Sequence, residues 1–151
     1  LGTINALAIA ESLVDDFDTV RQYTLCPNTV FNVGVLNFDR EVVRGQDPLP
    51  LRPNLVIQCG ENGSREDNCI LNGGDIQVDG TSRFGISQTT LNNVLIKGLT
   101  FRNSTLSNVW LQKPGNVTFE DCEFSVSPHF KTFGCVARFW KFLSLIFVGH
   151  V

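Results

Sequence analysis

The chain has 151 residues, of which 42% are hydrophobic and only 18% charged, with a formal net charge of −3. That length supports one domain with its own core and is short for two. A pI near 5.3 leaves no basic stripe to neutralise phosphates, which excludes the usual nucleic-acid binders.

The chain contains no Met, so Leu1 is expected to follow a removed leader or to lie inside a longer product. From Thr3 to Tyr23 the residues Ile4, Leu7, Ala8, Leu13, Val14, Phe17 and Val20 recur at helical spacing. Ser12 and Asp15 stand as a capping-box relative, hydroxyl before carboxylate. Residues 1–23 are therefore expected to form an amphipathic helix that caps the apolar end of whatever follows. Within it, Ala6 to Ala10 has the small-residue alternation of a signal-peptide cleavage site without a charged n-region, so residues 1–10 are a candidate signal remnant.

Four segments then open alike, at Pro27-Asn28, Pro53-Asn54, Asn92-Asn93 and Gly115-Asn116, each followed by alternating apolar residues. The clearest pair is Asn93 to Ser104 and Asn116 to Ser127, 23 residues apart. Such a period announces stacked coils. Alternation within a coil puts Val94, Ile96, Leu99 and Phe101 inside, with Gly98 turning the chain. Leu95, Lys97 and Thr100 then face out, as do Thr118, Glu120 and Glu123 of the next coil. Stacking at about 4.8 Å sets Lys97 beside Glu120. Asn54 and Asn93 are 39 residues apart, 16 more than the bare period. The excess is expected in loops at Cys59 to Cys69 and Gly80 to Gln88.

Cys59 and Cys69 bracket nine residues of turn formers, GENGSREDN. A disulfide across them is the natural pairing, contributing about 2 to 3 kcal/mol by restricting the unfolded chain; two free thiols are the alternative. Cys26, Cys122 and Cys135 have no assigned partner, and no CxxC or His cluster suggests zinc. Sequons stand at Asn62, Asn103 and Asn116. With the cysteines, they point to a secreted or extracellular protein. Asn62 and Asn103 are the glycan candidates.

Strands broken by turns every four to six residues, at a period near 23, resemble the right-handed parallel β-helix of pectin-lyase-like proteins, and VLIKGLTFRN is especially similar to coils of that family. The resemblance covers residues 24–127 and implies an all-β fold of four to five coils, fewer than the family's enzymes carry. It also implies an asparagine ladder, for which Asn28, Asn54, Asn93 and Asn116 are the matching positions. After Pro128 the pattern fails. Residues 128–151 are aromatic and basic, with Phe139, Phe142, Leu143 and Ile146 on one helical face. They are either a capping helix, an interfacial helix or sequence translated past an exon boundary. The longest uncharged run there, Phe142 to Gly149, is far short of the roughly 20 residues of a membrane span.

The family resemblance implies polysaccharide lyase or glycoside hydrolase chemistry, and the candidate groups fall short of both. A hydrolase needs two carboxylates about 5 to 9.5 Å apart, whereas Asp75 and Asp79 on one strand stand near 13 Å at about 3.3 Å per residue. They read as solvated carboxylates beside a loop. Glu120, Asp121 and Glu123 surround one turn, and the coil below offers only Lys97, Gly98 and Thr100. That supplies too few oxygens for Ca²⁺, which takes about 6 to 8, so Ca²⁺ enters only under the lyase alternative and no other cofactor is implied. Asp15, Asp16 and Asp18 point around a helix rather than together. His129 and His150 have no nucleophile beside them, and Gly73, Gly74 and Gly98 are turn residues without a phosphate-loop context. The expectation is a noncatalytic extracellular or wall-associated protein that binds polysaccharide. The alternative is a truncated or degenerate carbohydrate-active enzyme acting on pectin-like polymers.

Overall fold

The computed structural model describes residues 4, 6–7, 18–38, 41–80, 90–111 and 114–125. Within them the chain is all-β, with three parallel sheets in an arrangement consistent with a β-helix. Each of the first three coils contributes one strand to each sheet, and the fourth contributes to the first two among the described residues. The first coil holds β1 (Arg21–Leu25), β2 (Val30–Asn32) and, after an excursion, β5 (Leu49–Pro50). The excursion is an antiparallel pair, β3 (Val35–Phe38) with β4 (Glu41–Arg44). The second coil holds β6 (Leu55–Cys59), β7 (Cys69–Asn72) and β8 (Ile76–Gly80). The third holds β9 (Val94–Lys97), β10 (Leu99–Arg102) and β11 (Ser107–Leu111), and the fourth β12 (Val117–Glu120) and β13 (Glu123–Phe124).

The expected register is present residue for residue. Val117 lies against Val94, Phe119 against Ile96 and Glu120 against Lys97, so the 23-residue period is one turn of the stack. Val94, Ile96, Leu99 and Phe101 are all buried. They continue columns that run through the coils, Leu55–Val94–Val117 in the first sheet and Phe31–Leu71–Phe101 in the second, with Leu49 and Val78 paired in the third. Phe124 extends the second column by stacking on Phe101 at 4.6 Å between centroids, and Phe119 meets both rings edge-on. Each such fully buried side chain contributes roughly 1.5 to 3 kcal/mol, and stacking like on like fills the interior without a separate hydrophobic layer.

Three expectations about the beginning of the stack are corrected. The first coil opens at Arg21, which pairs with Leu55, so the stack starts before residue 24 and the first interval is 34 residues rather than 26. Arg21, Gln22 and Tyr23 are strand, so the expected N-terminal helix does not reach Tyr23. Ile4, Ala6 and Leu7 do have helical backbone, and Ile4 and Leu7 are fully buried in the core; the remainder of residues 1–17 lies outside the described residues. Finally, Asn28 is not in line with Asn54. It precedes β2 rather than a first-sheet strand, and the register Val30–Ile70 and Leu99–Cys69 stacks it on Asn68 and Gly98.

The reason for that slip is conformational. Asn28, Asn68, Gly98 and Asp121, with φ of 54°, 56°, 69° and 46°, all turn the chain from the first sheet into the second through left-handed backbone. Asn54 and Asn93, φ 55° and 54°, do the same at the entry to the first sheet. Left-handed backbone favours Gly, Asn and Asp, so two different corners select the same residues.

The 16 extra residues of the second coil sit where expected. Residues 60–68 form an insertion at a corner that the third coil turns with Gly98 alone. A further thirteen residues separate β8 from β9, where five separate β11 from β12. The first insertion is closed by a disulfide between Cys59 and Cys69, whose Cα atoms are 5.7 Å apart and whose side chains are fully buried. Residues 128–151, with the proposed capping helix, His129, His150 and Cys135, lie outside the described residues, as do Asp15 and Asp16. Among the described residues no helix is long and apolar enough to cross a membrane.

Candidate functional site

The acidic trio at the last described corner is held by cations. β12 delivers Glu120 next to Lys97, with Nζ and carboxylate 3.4 Å apart. The left-handed turn at Asp121 aims its carboxylate at the inserted loop, where the Arg65 backbone N–H donates to Asp121 Oδ2 at 2.8 Å. The Arg65 guanidinium lies 3.9 Å from Asp121 and 3.6 Å from Glu123. These groups are half exposed, so each ion pair contributes about 0 to 1 kcal/mol. Their chemical effect is larger than their energy, because Lys97 and Arg65 already neutralise the carboxylates that a Ca²⁺ would need. The trio does not fit that ion. Among the described residues no group of three or more His, Cys, Asp or Glu is placed to hold a metal.

Asp75 and Asp79 part company. Asp75 is exposed at the corner before β8 and accepts a hydrogen bond from the Thr105 hydroxyl. Asp79 is 1% exposed, in register with Pro50 below and Trp110 above. The expectation of two solvated carboxylates therefore fails at Asp79, which is enclosed in the third sheet and engaged there. The expected outward position of Thr100 is also corrected, since Thr100 is buried. The inserted loop accounts for this. Its Gly63–Ser64 backbone lies against Gly98 and its Arg65 reaches Glu123, the register neighbour of Thr100.

Asparagine amides do stack, in two columns rather than one. Asn93 Nδ2 donates to Asn54 Oδ1 at 2.9 Å, as the ladder expectation requires, and Asn116 continues that position by accepting the Val94 N–H at its carbonyl. The second column was missed. Asn103 Nδ2 donates to Asn72 Oδ1 at 2.8 Å, and Asn72 Nδ2 donates to Asn32 Oδ1 at 2.9 Å. Its signal was present in Phe31-Asn32, Leu71-Asn72 and Phe101-Arg102-Asn103, an Asn at or just after the end of three of the four second-sheet strands. Nearby, the buried Gln77 directs Nε2 to the carbonyls of Gly73 and Arg102, at 3.0 and 2.6 Å, tying two coils together. Of the two glycan candidates, Asn62 is exposed on the inserted loop, whereas the Asn103 amide is committed to the second column.

Two thiols are free among the described residues, Cys26 exposed and Cys122 partly covered. Burial pushes the Cys122 thiol up from 9.0 to about 11, the neighbouring Asp121 and Glu120 carboxylates acting in the same direction against hydrogen bonds from the Leu99 and Gly98 backbone. A thiol so held is a poor nucleophile.

Trp110 is the feature that sequence reasoning passed over. It is 44% exposed on β11, the outermost strand of the third sheet among the described residues. Asn108 stands on the same side of that strand, two residues away, and Leu106, 67% exposed, precedes it. The Asn108 oxygen accepts from the Ser104 hydroxyl, so the strand offers an apolar ring face beside a fixed amide. No protein-family model, no curated protein and no solved structure matches the chain.

Proposed function

We propose that this chain is a noncatalytic, extracellular or wall-associated protein that binds polysaccharide along the outer face of its third sheet. In this reading the coils are right-handed, as in pectin-lyase-like proteins, and the residues before β1, with Ile4 and Leu7 in the core, cover the first coil. The observation that carries the binding role is Trp110, an exposed indole on the outermost described strand of the third sheet, in register with Asp79. The neutralised corner at Glu120, Asp121 and Glu123 supports a noncatalytic role, because carboxylates already paired to Lys97 and Arg65 are poor candidates for general acid and base. The buried Cys59–Cys69 disulfide and the exposed sequon at Asn62 support a secretory compartment.

The test is affinity electrophoresis in gels containing pectin-like polymers, run beside an assay for released uronate and unsaturated products. Retardation of the parent chain, its loss in Trp110→Ala and an absence of products are the expected results. Turnover of the polymer would transfer the chain to the alternative, a truncated carbohydrate-active enzyme. A parent chain that migrates as it does in polymer-free gels would remove polysaccharide binding.

A further inference from the structure

The inserted loop of residues 60–68 begins and ends on the second coil. Its ends touch the first, with the Gly60 N–H donating to the Leu25 carbonyl and the Asn28 N–H to the Asp67 carbonyl, and the rest reaches to the third and fourth. Its middle rests on the third: a Cβ placed on Gly98 would come within 2.7 Å of the Gly63 and Ser64 backbone, and Lys97 packs against Gly63. Its 3₁₀ turn, Arg65–Asp67, is capped by Ser64, whose hydroxyl accepts the Glu66 N–H. That cap points Arg65 onward to Asp121 and Glu123 of the fourth coil. The fourth coil needs such help. Among the described residues it is held on one side only, β12 on β9 and β13 on β10, and β13 pairs through just two residues. Short edge strands with few ladder bonds are the first to open.

We propose that this loop is a strap, locked by the Cys59–Cys69 disulfide, that holds the fourth coil onto the third. The lock is a two-electron device. A dithiol reductant attacks one sulfur, the Cys59–Cys69 bond breaks, two protons complete the two thiols, and the reductant closes to its own disulfide. With both sulfurs fully buried, the attack requires the loop to lift first, so the strap is a lasting fastening in an oxidising compartment. Once reduced, the corner between β6 and β7 regains the freedom that the cross-link removed, and the grip on Asp121 and Glu123 loosens with it. This inference is independent of polysaccharide binding and stands or falls alone.

Native-state hydrogen exchange resolved by residue tests it. In the dithiol-reduced protein the amides of β12 and β13 are expected to exchange about tenfold faster through local opening, while those of β6 and β9 remain the slowest and exchange only with global unfolding. Arg65→Ala, a surface change that leaves the disulfide intact, is expected to speed the same amides a few fold, and Arg65→Lys to recover part of the loss. Exchange of β12 and β13 at the parental rate in Arg65→Ala would overturn the proposal. So would a reduced protein in which only residues 60–68 respond.

Discussion

Gly98 occupies a place where two constraints meet. Its φ of +69° is left-handed, which Asn and Asp also tolerate at this corner, but the Gly63 and Ser64 backbone leaves no room for a Cβ. The loop meets Asn28 and Asp121 in the same column through hydrogen bonds, from the Asn28 N–H to the Asp67 carbonyl and from the Arg65 N–H to Asp121 Oδ2, whereas at Gly98 its backbone fills the place of a Cβ. Gly98→Ala is therefore expected to cost about 1 to 3 kcal/mol, more than backbone strain alone. Asp121→Gly at the equivalent corner is expected to cost less, and urea unfolding of the two variants gives the comparison. Cys122 makes a second prediction at this scale. The native thiol stays protonated until about pH 11, against 9.0 for an ordinary thiol. The unfolded chain thus loses its proton first, and the native state is expected to lose stability as pH rises between those values. Below that window Cys122 contributes no pH dependence. Alkylation of the native protein near neutral pH, followed by peptide mapping, is expected to label Cys26 and leave Cys122 unmodified.

Strands were legible in the sequence wherever a period of two met a period of 23. Val94, Ile96, Leu99 and Phe101 alternate between a clear opening Asn and a clear turn, and Lys97 opposite Glu120 follows from them by counting. The disulfide was legible because a cysteine pair bracketed turn formers. What stayed hidden depended on contacts far apart in the chain. Thr100 alternates outward but lies beneath a loop contributed by another coil. Asp79 alternates outward and is nevertheless enclosed between Pro50 and Trp110. The pair β3 and β4 carries no opening Asn, so nothing marked it as leaving the stack. Asn32, Asn72 and Asn103 escaped notice because the third coil has one more residue at that corner, which places Asn103 one step beyond strict register with Asn72. Asn72 both donates and accepts in its column, so Asn72→Ala is expected to destabilise the chain by about 1 to 3 kcal/mol, leaving the Asn103 and Asn32 amides without it. Asn93→Ala, which removes a single bond to Asn54, is expected to cost less. Chemical denaturation with unchanged m-values checks both.

As a whole molecule the stack is nearly one-dimensional, each coil touching the coils above and below. The inserted loop breaks that rule by reaching from the second coil to the fourth, and the disulfide at its base constrains the unfolded chain by about 2 to 3 kcal/mol. For a chain of this length, reduction is expected to lower the midpoint of thermal unfolding by about 5 to 10 °C. Calorimetry with and without a dithiol measures it, and a shift below about 2 °C would mean that the cross-link is incidental to stability. The amide columns carry a different consequence. In both, every recorded bond runs the same way, the later coil donating Nδ2 and the earlier coil accepting at Oδ1. The stack therefore has a polarity written in its side chains, as an arrow from late coils to early ones. Two copies meeting through the same end would reverse that arrow at the join, whereas a coil added in register carries it on, so the columns give the stack a direction in which it can be extended without changing its bonding pattern.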